Sequence, residues 1–183
     1  ACVFLNRLEK NGYADICISV NQSRILFYKA DYLNEIQRII HKYHCDPSRI
    51  ILEVTEGITM DNLDEMKVLV RELHKMGFAV SMDDFGSGYS SLNILKELDI
   101  DELKLDRVFL SDTAEKEKRD IIMKNIITLA RELQITTVTE GVEDAAQAEF
   151  IHSIHCDIGQ GYYFAKPMPE DAFELFIAGK TEE

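Results

Sequence analysis

Residues 78–92 read FAVSMDDFGSGYSSL, and the fold turns on this stretch. It opens as an apolar, β-like run and ends in two adjacent acids, Asp83 and Asp84, followed by a loop carrying Gly86, Ser87 and Gly88. Adjacent carboxylates at a strand end suit two metal ions, because one side chain can bridge while its neighbour serves the second ion. The glycines let the loop turn tightly over a ligand. The plainer reading is a turn plus a helix cap, and the flanking sequence weakens it. Other apolar runs finish in the same way: ICISVN at Asn21, IILEVTE at Glu53 and Glu56, and LKLD at Lys104 and Asp106. TVTEGVE ends at Glu140 and Glu143, and DIGQGYYF carries Gln160.

Each run is followed by a segment with helical spacing, such as Leu63, Met66, Leu69, Val70 and Leu73. This predicts strands near 16–21, 50–55, 78–83, 102–106, 136–140 and 160–164, and helices near 30–44, 61–76, 90–98, 115–133, 144–154 and 170–178. The strand runs read as apolar throughout, as expected for parallel strands covered by helices. Asp61 and Asp144 are candidate N-caps, and Gly77 is a candidate residue just past a helix end. Repeated βα units fit either a doubly wound sheet or a closed barrel. A doubly wound sheet usually has one Gly-rich phosphate loop, whereas here functional groups end six strands, which is the barrel habit. The expected fold is an α/β, TIM-like (β/α)8 barrel with about six βα units in this chain. Two further strands are expected upstream of Ala1, where the chain begins without Met inside a helical stretch, CVFLNRLEK.

The 183 residues and 46% hydrophobic content fit one domain spanning residues 1–183. A net charge of −13 without a Lys/Arg-rich stretch argues against a DNA or RNA surface, though not against a small phosphorylated ligand held through metal ions. Cys2, Cys17, Cys45 and Cys156 form no CxxC pair, so a reducing compartment is the default. No apolar run approaches the ~20 residues of a membrane span, and no signal peptide is visible. The expectation is a cytoplasmic domain without membrane contact of its own, in a parent protein open to membrane anchoring.

Glu53 and Glu56 lie three apart, so within a strand they face opposite sides. Glu53 is the better metal ligand; Glu56 is placed to hold a neighbouring loop or cap a helix. Asn21 offers an amide oxygen suited to Mg²⁺ or Mn²⁺ beside carboxylates, and its plainer reading is an Asx-turn with Ser23. Lys104 is expected to remain protonated among so many carboxylates, either positioning water or a phosphoryl oxygen or simply pairing with Asp83 or Glu140. Glu140 completes the face, with Glu143 and Gln160 at its outer part. The pairs His41/His44 and His152/His155 read as helix-surface residues, and Tyr28, Tyr89, Tyr162 and Tyr163 mostly as packing residues.

In order and spacing, SVNQS, LEVTE, DDFGSGYSSL, LKLDRVF, TEGVE and GQGYYFAKPMP resemble the EAL-domain phosphodiesterases of bacterial cyclic di-GMP signalling, from about Ile16 to Phe176. The resemblance implies a modified (β/α)8 barrel with one antiparallel strand, and hydrolysis of cyclic di-GMP to linear pGpG with two Mg²⁺ or Mn²⁺ ions. It implies Asn21, Glu53 and Asp83 at the first metal, with Asp83 bridging to a second that Asp84 and Glu140 approach. It also implies that Lys104 would contact the nucleophilic water, with Gln160 and Glu143 in the outer part of the site. By the same resemblance, Glu56 would anchor the loop of Gly86, Ser87 and Gly88, which the family uses for metal and substrate binding and near its dimer interface. A homodimer and an upstream sensory or GGDEF domain are further implications.

The family's E-x-L motif, whose glutamate is a metal ligand, is absent from residues 1–183. Either the parent protein carries it upstream, leaving this an N-terminally truncated domain of weak or no activity alone, or the protein is degenerate. Smaller departures are Ser87 where Thr is usual, Gly57 where Ser is common and Thr139 where Ala is common. The competing expectation is a non-catalytic cyclic di-GMP receptor or protein-interaction module. A third is another metal-dependent barrel, such as an enolase-like lyase. The downstream motifs favour the enzyme, because a binding module has no chemical need for Asp84, Lys104 and Glu140 together.

Overall fold

The structure, a computed structural model, describes residues 1–23, 29, 31–55, 63–86, 92–111 and 116–179. Six strands pair in parallel and in chain order: β1 (Ile18–Asn21), β2 (Ile50–Thr55), β3 (Ala79–Phe85), β4 (Glu102–Leu105), β5 (Thr136–Thr139) and β6 (Ile158–Gly159). No neighbour is skipped, so the sheet has no reversal point of the doubly wound kind. It curls into a half-barrel of the TIM-like type. Helices α1 (Cys2–Lys10), α2 (Tyr32–Tyr43), α3 (Leu63–Lys75), α4 (Leu92–Glu97), α5 (Lys116–Glu132), α6 (Ala145–Ser153) and α7 (Glu170–Ile177) alternate with the strands.

The strands are not apolar throughout, as their runs had suggested. Leu52, Val54, Val80, Met82, Leu103, Leu105 and Val138 are buried, and the alternate positions hold buried Glu53, Ser81, Asp83, Glu102, Lys104, Thr137 and Thr139. Successive strand side chains point to opposite faces, so one face is apolar and the other polar. The apolar face packs with Val70 and Leu73 of α3, Met123 and Ile127 of α5 and Ile151 of α6 in one core. The polar face lines the interior of the half-barrel.

At the N-terminal ends of the strands, two aspartates do the same job at different blades of the sheet. Asp101, just before β4, accepts from the Val80 N–H of β3 at 2.7 Å; Asp157, just before β6, accepts from the Thr137 N–H of β5 at 2.8 Å. Arg49 closes this end on the other side. Its buried guanidinium donates to the carbonyls of Ile16 (3.1 Å), Tyr13 (3.0 Å) and Leu5 (3.4 Å) and reaches Glu9 at 3.4 Å. One side chain thus fixes α1 and the entry to β1. Replacing Arg49 with Met leaves these carbonyls without donors, and we expect a loss of about 3 kcal/mol of folding free energy. Urea unfolding measures it, and a loss below about 1 kcal/mol would show that water substitutes for the guanidinium.

Asp144 caps α6 through Gln147 N at 2.8 Å, and Gly77 follows α3 with φ +92°, both as expected. Asp61 lies outside the described residues. The last strand differs from expectation: β6 is Ile158–Gly159, and the aromatic run after it is a turn. The turn is held because Val142 N donates to the Gln160 carbonyl and Tyr163 N donates to the Val142 carbonyl, both at 3.0 Å. These bonds run to the loop after β5 and leave no ladder for residues 160–164 to extend. Tyr162 and Tyr163 are accordingly exposed rather than packed, while Tyr28 and Tyr89 lie outside the described residues. His44 and His155 sit just past their helices with φ of +48° and +62°, so neither histidine pair shares a helical face.

Candidate metal centre

Lys104 is the hub of the polar face. Its buried ammonium lies 2.8 Å from Glu53 Oε1 of β2, 3.1 Å from Asp83 Oδ1 of β3 and 2.7 Å from Glu140 Oε1 just beyond β5. Three strands therefore converge on the fourth through one cation. Burial pulls this ammonium toward neutrality, but hydrogen bonds to Glu140, Glu53 and Asp83 outweigh it and hold the pKa above the ordinary lysine value. Both readings of Lys104 meet here, since a paired lysine is also a fixed positive charge at the bottom of the site.

Asp83 and Asp84 owe their arrangement to an irregularity. The β3–β4 register shifts between Met82 and Phe85, and Asp84 has φ +58°. In a regular strand the two carboxylates would project to opposite faces. A bulge with a left-handed residue re-aims one of them, at a cost in backbone strain of order 1–3 kcal/mol. As a result Asp83, Asp84 and Glu140 each present a carboxylate oxygen within 4.8 Å of the other two. Burial pushes the Asp84 carboxyl upward, and so do the nearby Asp83 and Asp106 charges. Glu140 is also raised by burial, with Lys104 opposing. Four carboxylates around one ammonium carry a formal charge of −3 (−4 + 1) when all are ionised. All-oxygen donors with surplus negative charge fit Mg²⁺ or Mn²⁺.

Gly86 follows with φ +98°, and a Cβ there would lie 2.1 Å from the Phe109 ring. Phe109 belongs to the one-turn helix Arg107–Leu110 after β4, whose start is capped by Asp106 accepting from Val108 N at 2.8 Å. Only glycine lets the β3 loop lie this close to its neighbour.

The other expected residues are not part of the Asp83–Asp84–Glu140 trio. Asn21 is the register partner of Glu53, which places it on the same face one strand over, at an exposed strand end. Glu53 pairs with Lys104 and is not part of the Asp83–Asp84–Glu140 trio. Gln160 is exposed, and its backbone bonds both Thr139 and Val142. Glu143 is also exposed, and its N–H donates to Gln147 Oε1 at 2.7 Å. Glu56, Ser87 and Gly88 lie outside the described residues.

Sequence reading passed over Glu102, which sits two residues before Lys104 on the same face and whose carboxyl burial pushes upward. The alternation Glu102, Leu103, Lys104, Leu105 was the available signal. Asp106 was seen as a strand-end acid but not as the cap that shapes the next loop.

A parallel half-barrel with carboxylates from adjacent strand ends gathered round one lysine defines a class of TIM-like, acid-lined sites. Within it, the chain belongs to the EAL domain family, which it matches over residues 1–167. It is 38% identical over 178 residues to the bifunctional diguanylate cyclase/cyclic di-GMP phosphodiesterase MucR of Pseudomonas aeruginosa, covering 97% of this chain and 26% of that protein. It is 37% identical over 177 residues to the signaling protein YkoW of Bacillus subtilis, covering 97% and 22%. The chain thus spans about a quarter of the length of these curated relatives. The solved MucR phosphodiesterase in complex with cyclic di-GMP superposes with a TM-score of 0.89 at 38% identity, over 94% of this chain and 70% of that one. The EAL domain of Mycobacterium smegmatis DcpA does so at 0.90 and 27%, over 100% and 82%. Among the described residues, no helix is long and apolar enough to cross a membrane.

Proposed function

We propose that the full-length polypeptide hydrolyses one phosphodiester of cyclic di-GMP to pGpG in a metal-dependent reaction. The observation that carries this is the Asp83–Asp84–Glu140 trio, with ligand oxygens within 4.8 Å and Lys104 beside it, in an EAL domain. Asn21, Glu53 and Asp83 are assigned to a first divalent ion, with Asp83 shared by a second that Asp84 and Glu140 complete. Bound Mg²⁺ or Mn²⁺ supplies the Lewis acidity that activates water and offsets phosphate charge. Lys104 holds the attacking water or a phosphoryl oxygen through its ammonium, with Glu53, Asp83 and Glu140 fixing its position. Glu143 and Gln160 are assigned to the rim of the site, and Glu56, by the family's pattern alone, to the loop of Gly86, Ser87 and Gly88.

No E-x-L occurs within residues 1–183, so the ligands assigned here are those that this chain itself carries. The domain is assigned to the cytoplasm. The test is chromatography of cyclic di-GMP incubated with the full-length protein and Mg²⁺ or Mn²⁺. Appearance of pGpG is expected. Tight binding with no cleavage would move the assignment to a non-catalytic receptor.

A further inference from the structure

Cys2 opens α1, and Cys45 follows α2 just before the Pro47–Arg49 turn that leads into β2. Both are buried in one apolar core, and their thiols are in hydrogen-bonding contact. The backbone around them is fixed. Asn6, one helical turn beyond Cys2, donates to the Tyr43 carbonyl at 2.6 Å, and Cys45 N donates to the Ile40 carbonyl at 3.2 Å. Cys45 Sγ also donates to the Asp46 carbonyl at 3.8 Å. Cys156, by contrast, meets the Thr139 hydroxyl at 3.2 Å, and Cys17 is exposed.

Buried cysteines often act only as small apolar residues. This pair differs in its access and in the unequal roles its surroundings give the two thiols. Cys2 borders an open cavity of about 410 Å³, whose described walls include Val20, Ile36, Ile40 and Tyr43; Cys45 is not among those walls. A small oxidant therefore has a route to Cys2 first. Burial pushes the Cys45 thiol up to about 11, with the Cys2 hydrogen bond adding to it and the Arg49 guanidinium opposing. Cys45 thus stays protonated near neutral pH, which suits it to the second step rather than to the first attack on an oxidant.

We propose that Cys2 and Cys45 form an oxidisable dithiol, which hydrogen peroxide converts into a disulfide stapling α1 to the entry of β2. The Cys2 sulfur attacks the peroxide, whose O–O bond breaks to give a sulfenic acid and one water. The Cys45 sulfur then attacks Cys2 Sγ, and its proton leaves with the displaced hydroxide as a second water. Two thiols and one peroxide thus give one disulfide and two waters. The loop so closed contains β1, the edge strand of the sheet, which carries Asn21. The acidic trio lies at the opposite ends of the strands, so the staple acts on the stability of this edge and not on the carboxylates.

The full-length protein is treated with peroxide, remaining thiols are alkylated, and tryptic peptides are read by mass spectrometry. We expect the peptide ending at Arg7 to be joined to residues 43–49, and the link to vanish after dithiothreitol. The oxidised protein should unfold about 5–10 °C higher than the reduced one, and Cys45→Ser should abolish that shift. The linked peptide is read on the wild-type protein, so the outcome does not depend on how well the variant folds. Cys2 carried to a sulfinic acid without the linked peptide, either cysteine joined to any other thiol, or both thiols left free would overturn the pair. A linked peptide with an unchanged or lowered unfolding temperature would overturn the staple.

Discussion

If the protein hydrolyses cyclic di-GMP as proposed, Asp83→Asn in the full-length polypeptide is expected to lower turnover on the order of a thousandfold while leaving the fold intact. Asp83 is the acid common to both halves of the site. It bonds Lys104 at 3.1 Å and belongs to the trio with Asp84 and Glu140. The amide keeps the volume and one acceptor oxygen but removes the charge and the capacity to bridge two cations. Loss of outer partners of a metal site already costs 10–100-fold, and on the proposed two-ion reading the loss of Asp83 would weaken the hold on both ions at once. The check is steady-state turnover at saturating Mn²⁺, beside a thermal unfolding curve. A variant that keeps more than about a tenth of the activity would remove Asp83 from the reaction.

Lys104→Met is expected to damage stability as well as activity. It leaves Glu53, Asp83 and Glu140 facing one another in a buried space without the ammonium that each approaches within 3.1 Å. Removing one partner of a buried charge cluster costs about 3–5 kcal/mol, and we expect that loss near neutral pH. The sign of the pH dependence follows from the carboxyls. Glu140 and Asp84 already sit above their ordinary pKa values because burial disfavours the charged form. A raised folded-state pKa contributes stability at acid pH that is lost as pH rises through it. Without Lys104 these carboxyls rise further, so the variant should regain stability on acidification, down to the range where other carboxylates in the protein become protonated. Added Mn²⁺ should restore part of the loss at neutral pH by binding the folded state only. Denaturant unfolding from pH 5 to 8, with and without Mn²⁺, measures both effects. A stability loss indifferent to pH and to Mn²⁺ would mean that Lys104 acts by packing rather than by charge.

Much of the site was legible before any coordinates, because parallel strands bring their C-terminal residues to one rim whatever the helices do. Glu53, Asp83, Lys104 and Glu140 could be chosen from the ends of apolar runs alone. The inner face was harder to read. Glu102 and Ser81 look like isolated polar residues in strands, and only period-two alternation summed over four strands shows them lining one interior. The bulge at Asp84 was also beyond sequence reasoning, since a positive φ at a non-glycine residue leaves no composition mark. The misplaced β6 has the same origin: GYYF reads as strand by propensity, but the bonds of Gln160 and Tyr163 to the β5 loop depend on contacts about twenty residues away. Asp106 and Arg107 were quoted in the sequence motif, yet their part in shaping the rim depends on neighbouring loops that packing alone brings together.

The most direct test of the central claim, that these strand ends hold divalent metal for phosphodiester hydrolysis, is anomalous diffraction from Mn²⁺-soaked crystals of the complete EAL domain. The account predicts Mn²⁺ bonded to carboxylate oxygens of Asp83 and of Asp84 or Glu140, at about 2.0–2.3 Å as for hard oxygen-ligated cations. Manganese found only elsewhere, with Lys104 still occupying the carboxylates unaided at saturating ion, would contradict it.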